Sequence, residues 1–196
     1  MRYSFLILAI FSLLLISCSD IPERGKKILG TNYKFTNQNE LEIELDSLLK
    51  NKITLMGFIY THCPDICPMT THNMYLTQKL IDENNIKNLR FILVTFDPIR
   101  DNPSVLKSFA SVRDIDTNRW NLLTGEPESV RRFNKMMGIN SIAADSSYSE
   151  DGELNYYIIH TDRITLIDKD GFIRSEYKGS LADPQLIFDD IKKIGE

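Results

Sequence analysis

Residues 53–68 constrain the fold of this chain more than any other stretch, because an apolar run passes directly into two cysteines and a proline. Residues 53–60 are mostly apolar, with β-branched and aromatic members, which is typical of a central strand. Pro68 lacks a backbone N–H and disfavours the α region for Cys67. The pattern therefore predicts Cys67 as the N-cap and Pro68 as the first residue of a helix that runs to about Asp82.

Cys63 and Cys67 are expected to lie close together, since a short turn separates them at the start of this helix. The partial positive charge and the free N–H groups of a helix start favour a thiolate over a thiol. Two neighbouring thiolates can cycle between dithiol and disulfide, or they can hold a soft metal ion such as Cu(I). A structural disulfide is the third interpretation, although a bridge across so short a loop stabilises a fold weakly.

The composition is that of an ordinary globular protein. The chain has 196 residues, of which 42% are hydrophobic and 26% charged, and this suits one domain with a sizeable core. The net charge is −4, and no basic run or aromatic-basic stripe offsets it. The chain is therefore not expected to bind nucleic acid.

The N-terminus has the pattern of an export signal. Residues 5–16 form an apolar run that is too short to span a bilayer and has the size of a signal-peptide core. The run ends at Leu15-Ile16-Ser17-Cys18, which resembles the bacterial lipobox, whose cysteine is lipidated and becomes the first residue of the mature chain. An uncleaved signal anchor with an unmodified Cys18 is the alternative.

These features predict a lipoprotein signal peptide at 1–17, a tether at 18–31 and a folded domain at 32–196. Lipidation of Cys18 would anchor the domain to the cell membrane on its extracytoplasmic, periplasmic side, where disulfides are permitted. The lipid would use up Cys18, so Cys63 and Cys67 remain for redox or metal chemistry.

The rest of the chain alternates predicted strands and helices. Residues 89–96 predict a second buried strand, parallel to the first because a helix lies between them. The other predicted elements are an N-terminal β-hairpin at 33–45, a connector at 46–52, a helix capped by Asn102, a strand at 119–123, a helix at 127–137, a polar loop at 141–153, a hairpin around 168–171 and a closing helix at 184–195.

Three charged residues follow the second buried strand. Asp97, Arg100 and Asp101 lie at its carboxyl end, the edge where parallel sheets gather ligands and catalytic groups. They are therefore expected near the cysteines, where they would tune the charge of the dithiol or dock a partner. An internal ion pair and a helix cap explain the same residues equally well.

The order of these elements resembles a thioredoxin-like domain, an α/β fold with a central mixed sheet flanked by helices. Three separated motifs further resemble the SCO/SenC family, the thioredoxin-fold copper proteins that serve cytochrome c oxidase assembly. The motifs are Tyr60-Thr-His-Cys63-Pro-Asp-Ile-Cys67-Pro68, then Phe96-Asp97-Pro-Ile-Arg100-Asp101-Asn-Pro103, then His160-Thr161 followed by Leu166-Ile167-Asp168 and Gly171.

The resemblance implies that Cys63, Cys67 and His160 bind copper. Two thiolates and an imidazole suit Cu(I) and keep Cu(II) accessible, whereas a closed structural zinc site would want a fourth ligand. His160 follows an apolar segment and precedes a hairpin, where thioredoxin folds place the loop that faces the dithiol. His62 and His72 are expected to be solvated or structural.

The resemblance also implies a membrane-tethered metallochaperone that delivers copper to the binuclear copper site of a cytochrome oxidase subunit. Its partners would be that copper-bearing subunit and a thioredoxin-like reductant. The alternative is a thiol-disulfide oxidoreductase that reduces the target's copper-ligand cysteines, with Cys63 as the attacking thiol. Copper binding needs His160, whereas disulfide exchange needs only the cysteines. A peroxiredoxin-like peroxidase fits less well, because no peroxidatic-cysteine motif of that family is recognised.

Overall fold

The structure, a computed structural model, describes residues 23–148 and 154–195. The strands in these ranges are β1 (Lys34–Asn37), β2 (Glu42–Glu44), β3 (Ile53–Ile59), β4 (Leu89–Thr95), β5 (Trp120–Thr124), β6 (Ser141–Tyr148), β7 (Leu154–His160), β8 (Ile164–Ile167) and β9 (Ile173–Tyr177). The helices are α1 (Leu45–Leu49), α2 (Ile66–Glu83), α3 (Pro103–Val112), α4 (Pro127–Met136) and α5 (Pro184–Gly195), with a 3₁₀ turn at Gly179–Leu181. None of the described helices is both long and apolar enough to cross a bilayer. The predicted signal peptide lies outside the described residues.

A seven-stranded mixed sheet forms the centre of the domain, in the order β2-β1-β5-β4-β3-β8-β9. β3, β4 and β5 run parallel, and the remaining neighbours pair antiparallel. Every residue of β3 is buried, as expected for a strand covered on both faces. The predicted N-terminal hairpin and the parallel crossover through α2 are confirmed.

Gly57 allows α2 to lie directly on β3. A Cβ at this position would meet Met74 Sδ at 2.7 Å and Leu93 Cδ2 at 3.0 Å. Both neighbours are fully buried, so a dense core leaves them little room to move. α2 also packs against α5 and the 3₁₀ turn. The end of α2 that carries Cys67 is therefore held firmly against the sheet.

The predicted start of α2 is wrong by two residues. The helix begins at Ile66, with Asp65 as the N-cap, so Cys67 lies inside the first turn. Pro68 is tolerated in this turn because the N–H groups there have no partner within the helix. Cys67, which was predicted as the N-cap, is therefore a residue of the helix itself.

The connector predicted at residues 46–52 is also wrong, because α1 overlaps it. Leu45, Leu48 and Leu49 are buried on this short helix. Their spacing follows one helical face, but the helix spans only five residues. So short a pattern is hard to distinguish from an irregular turn.

Residues 141–153 were predicted to form a polar loop, but residues 141–148 form strand β6. Residues 149–153 lie outside the described residues. β6 pairs antiparallel with β7 in a separate two-stranded sheet. Ser141, Ile142 and Ala143 are exposed, so this part of β6 has no buried apolar alternation. Backbone pairing with β7 makes it a strand, and hydrophobic periodicity does not report such pairing.

We predict that Gly171→Ala destabilises the domain. Gly171 has φ +82° in the turn between β8 and β9, and a Cβ there would lie 2.3 Å from Leu29 Cβ. The left-handed backbone and the overlap should lower the free energy of unfolding by more than about 1 kcal/mol in urea denaturation. Gly125→Ala is the matched control, because its Cβ would meet Val130 Cγ2 at an ordinary 3.6 Å. Equal losses in the two variants would contradict this interpretation.

Candidate metal centre

Cys63, Cys67 and His160 converge at the carboxyl edge of the central sheet. Their ligand atoms all lie within 4.8 Å of one another, and Cys67 Sγ is 3.8 Å from His160 Nε2. Neither cysteine forms a disulfide in the part of the chain that the structure describes. Within the described residues, this is the one group of three side chains placed to hold a metal ion.

The start of α2 positions both sulfur atoms. Cys63 Sγ accepts a hydrogen bond from the Cys67 N–H at 3.4 Å, so it occupies the place where a helix offers unpaired donors. Cys67 Sγ accepts from the Tyr60 N–H, also at 3.4 Å. Cys67 is fully buried and Cys63 half-buried. A ligand that arrives from solvent therefore meets Cys63 before Cys67.

The two thiols differ in acidity. The pKa of Cys63 falls to about 3, chiefly because the Cys67 thiol donates a hydrogen bond to its sulfur. Burial acts in the opposite direction and raises the pKa. Hydrogen bonds from His160 and from backbone N–H groups lower it further. The pKa of Cys67 is raised, because its thiol makes that donation and because it is buried. The metal-free pair thus holds one proton between two sulfurs. A metal that binds both must displace that proton.

His160 directs Nε2 toward the sulfurs because its other ring nitrogen is engaged. Nδ1 lies 3.0 Å from the Thr161 carbonyl oxygen. A carbonyl only accepts hydrogen bonds, so Nδ1 carries a proton, and Nε2, which faces the sulfurs, is the nitrogen that would act as a ligand after it gives up the proton it donates to Cys63. Burial lowers the pKa of His160, but hydrogen bonds to Cys63 and to the Thr161 carbonyl outweigh it, so the pKa is raised. The ring also packs on Phe96, with centroids 4.3 Å apart.

The donor set fits copper. Two thiolates with one imidazole form the soft, low-coordinate environment that Cu(I) prefers. A closed zinc site usually has four protein ligands, and the cluster in the described part of the chain has three. Because Cys63 and His160 are only half-buried, one side of the cluster stays open to an incoming ligand.

Asp101 holds the loop that carries Cys63. Its carboxylate accepts hydrogen bonds from the Thr61 N–H at 3.1 Å, the Thr61 hydroxyl at 2.5 Å and the Thr95 hydroxyl at 2.6 Å. These bonds join the ends of β3 and β4 at the edge of the sheet. Asp101 is fully buried, so its carboxylate serves this internal network, and an influence on the charge of the dithiol stays a prediction.

Asp97 and Arg100 contact β7, the strand that ends at His160. Arg100 Nε donates to Asp97 Oδ2 at 2.5 Å, and the Tyr156 hydroxyl donates to Asp97 Oδ1 at 2.7 Å. The guanidinium carbon of Arg100 lies 3.5 Å from the centroid of the Tyr156 ring. Asp97 is only 4% exposed, so its carboxylate serves this internal network.

His62 and His72 are exposed and lie outside the cluster. His62 Nδ1 is 3.2 Å from the hydroxyl of Thr61, and the His72 ring is near Tyr75, with centroids 6.5 Å apart. These placements agree with the solvated or structural roles expected for both.

Asp162 is a supporting residue that the sequence analysis missed. Its carboxylate accepts hydrogen bonds from the hydroxyl of Thr70 on α2 at 2.9 Å and from the hydroxyl of Ser180 at 2.6 Å. It thereby fixes the loop after His160 to the helix that carries Cys67. The available signal was its position two residues after a strand end, as with Asp97.

The fold and the site together define a thioredoxin-like protein with a cysteine pair at a helix start and a histidine facing it. A sequence model of the SCO1/SenC family matches residues 21–196. The chain therefore belongs to the SCO1/SenC family, as its motifs indicated.

Solved structures of related proteins agree with this fold. A SCO1/SenC family lipoprotein from Bacillus anthracis is 31% identical, with a TM-score of 0.68 over 85% of this chain and 97% of its own. ScoI from Bradyrhizobium japonicum, solved with copper bound, is 26% identical, with a TM-score of 0.69 over 88% and 99%. BsSco, described as having a disulfide switch and belonging to the Sco family of cytochrome c oxidase assembly proteins, is 29% identical, with a TM-score of 0.67 over 89% and 96%. The predicted thioredoxin-like fold is confirmed.

We predict that Asp101→Ala lowers the free energy of unfolding by about 1–3 kcal/mol, because three donors lose their buried acceptor. Burial raises the pKa of Asp101 above its ordinary 3.8, so the native protein holds this proton more tightly than the unfolded chain. The stability that Asp101 contributes therefore declines as pH rises through that window.

Urea unfolding of this variant should consequently show a larger loss at about pH 4 than at about pH 7. Asp189→Ala is the control, since Asp189 is exposed on α5 and its removal should change stability by less than about 0.5 kcal/mol. A loss for Asp101→Ala that is equal at both pH values, or no greater than the control, would overturn this interpretation.

Proposed function

We propose that this protein binds copper through Cys63, Cys67 and His160 and delivers it to the binuclear copper site of a cytochrome oxidase subunit. The observation that carries the proposal is the convergence of two sulfurs and an imidazole nitrogen within 4.8 Å. Two relatives support it: Bradyrhizobium ScoI holds copper, and BsSco belongs to a family described by its role in cytochrome c oxidase assembly.

Delivery by ligand exchange follows from the exposure of the three ligands. Cys67 lies at the bottom of the site, and Cys63 and His160 form its half-exposed side. A thiolate of the acceptor can approach from this side and add to a three-coordinate ion, after which the donor ligands leave in turn. Such a transfer changes neither the oxidation state of the carrier cysteines nor their covalent bonds.

Exposed apolar side chains close in sequence to the site residues suit a protein acceptor. Ile159 precedes His160 and is 69% exposed, Ile99 precedes Arg100 and is 75% exposed, and Met69 follows Cys67 by two residues and is 44% exposed. Exposed large apolar side chains are costly in water and are typical of surfaces that contact other proteins. They favour transfer within a protein–protein contact over release of copper into solution.

The membrane tether is a second part of the proposal. Cys18 ends a lipobox-like motif, and a lipid there would hold the domain at the outer face of the cytoplasmic membrane, where an oxidase client is accessible. The Bacillus anthracis relative is described as a lipoprotein, which supports this placement.

Thiol-disulfide exchange is the second candidate function, and the lowered pKa of the half-buried Cys63 favours it. The Cys63 thiolate would attack a disulfide of the oxidase subunit and release one target thiolate. Cys67 would then displace the second, so that two electrons pass to the target and the Cys63–Cys67 disulfide forms. A thioredoxin-like reductant would restore the dithiol.

Anaerobic titration of the reduced full chain in detergent, in competition with a Cu(I) chelator, tests copper binding. We expect one copper per chain. Cys63→Ala, Cys67→Ala and His160→Ala should each weaken binding by more than about 100-fold, beyond the loss caused by removing a group that only orients a ligand.

His72→Ala is the control and should bind copper like the wild type, because His72 lies outside the cluster. A wild-type protein that fails to bind copper would contradict the proposal. Full binding by His160→Ala would contradict the ligand set. Retained disulfide reduction by a protein without copper affinity would make the reductase the main function.

We predict that Cys18 carries the lipid. Cells that express the full chain and grow with a labelled fatty acid should incorporate the label into the wild type and into Cys63→Ser, but not into Cys18→Ser. The two serine variants differ only in which cysteine is lost, so Cys63→Ser is the control. Label in Cys18→Ser, or none in the wild type, would contradict the predicted tether.

A further inference from the structure

The strand that carries His160 does not belong to the central sheet. β7 pairs with β6, and these two strands form a separate sheet. The ladder bonds that order β3 and β4 therefore do not order His160. Its position relative to the cysteines depends on contacts between β7 and the body of the domain.

Arg100 provides a major group of these contacts. Its Nη1 donates to the Tyr156 carbonyl oxygen at 3.2 Å, and its guanidinium lies over the Tyr156 ring. Asp97, which accepts from Arg100 Nε, also accepts from the Tyr156 hydroxyl. One residue of β7 is therefore held through its backbone, its ring and its hydroxyl.

Tyr60 continues the contact toward the site. Its hydroxyl accepts a hydrogen bond from the Ile158 N–H at 3.4 Å. Its ring centroid lies 5.6 Å from the Arg100 guanidinium carbon and 6.0 Å from the centroid of the His160 ring. The backbone N–H of Tyr60 donates to Cys67 Sγ. Tyr60 thus connects the strand that carries the histidine to a metal-binding cysteine.

One nitrogen of Arg100 makes no hydrogen bond to any described residue. Nη2 is buried, and no acceptor satisfies it. A buried donor without an acceptor is costly, all the more on a charged group, and the faces of the Tyr60 and Tyr156 rings offset only part of that cost. The charge of Arg100 is therefore matched through Asp97 and the two tyrosine rings, which ties this residue to the strand that carries His160.

We propose that Arg100 is a positioning residue for His160, an inference that rests on the proposed copper binding. By holding Tyr156, Arg100 fixes β7 so that His160 Nε2 already lies close to Cys67 Sγ before copper arrives. A ligand held in place in advance loses less conformational freedom on binding. Removing these Arg100 contacts leaves Cys67 on α2 and Cys63 in the loop before it, and it releases only the histidine.

A double-mutant cycle of Arg100→Gln and His160→Ala tests this, with the Cu(I) affinity of the reduced full chain as the readout. Alone, Arg100→Gln should weaken copper binding roughly 10- to 100-fold, as expected for loss of a group that orients a ligand. In the His160→Ala background it should change the affinity by no more than about twofold, because its effect passes through the histidine.

Arg119→Gln is the matched control. Arg119 also pairs with a carboxylate, that of Asp82, and lies 5.7 Å from an aromatic ring, that of Phe91. It does so at the amino end of β4, whereas the metal site is at the carboxyl end. This variant loses the same charge and should keep the wild-type affinity for copper.

Hydrogen exchange of the metal-free protein gives a readout that does not involve copper. The Ile158 amide should exchange faster in Arg100→Gln than in the wild type, and Arg119→Gln should leave it unchanged. If Arg100→Gln does not fold, Tyr156→Leu is the substitute, because it removes the ring and hydroxyl that Arg100 and Asp97 contact while the Arg100–Asp97 ion pair remains. It should weaken Cu(I) binding only when His160 is present, and it should speed exchange of the Ile158 amide.

Three results would count against the inference. An unchanged affinity in Arg100→Gln, with His160→Ala impaired, would overturn it and leave the copper-binding proposal intact. If Arg100→Gln lowered the Cu(I) affinity equally in the wild type and in His160→Ala, this would indicate a general structural defect and would also overturn the inference. Failure of the wild type to bind copper would overturn the proposed function and this inference together.

Discussion

The hydrogen bond from the Cys67 N–H to Cys63 Sγ joins the fold of this protein to its chemistry. It exists because α2 begins between the two cysteines, and a helix start has N–H groups that need an acceptor. α2 is held in place because Gly57 brings it close to the buried strand β3. Asp101 fixes the intervening loop at Thr61. The same junction places the Cys67 thiol against Cys63 Sγ, and the hydrogen bond from that thiol, supported by the backbone N–H groups, gives Cys63 its thiolate character.

The metal centre is assembled from two parts that are ordered in different ways. Cys67 belongs to a helix packed on the central sheet and Cys63 to the loop before that helix, whereas His160 belongs to a strand of a separate two-stranded sheet. Side-chain bonds connect the parts, through Asp97 and Arg100 on one side and Asp162 on the other. This division suits a carrier, since three ligands in an open arrangement hold a metal without enclosing it.

Much of this arrangement was predictable from sequence, because it depends on local patterns. The buried run before the cysteines, the parallel crossover and the helices that begin at Pro103, Pro127 and Pro184 have local signals that the structure confirms. His160 had no such signal of its own, and only resemblance to a family marked it as a ligand. β6 was missed because its exposed residues show no periodicity, and Tyr156 because an aromatic residue in a strand predicts burial but not its partners. Long-range contacts such as these follow from the folded chain and not from spacing.

X-ray absorption at the copper edge of the Cu(I)-loaded protein reports the atoms bound to the metal and therefore tests the proposed ligand set. We expect two sulfur scatterers and one nitrogen scatterer in the wild type. We also expect His160→Ala to lose the nitrogen and keep both sulfurs. A copper environment without two sulfurs, or a nitrogen scatterer that persists unchanged in His160→Ala, would contradict that ligand set.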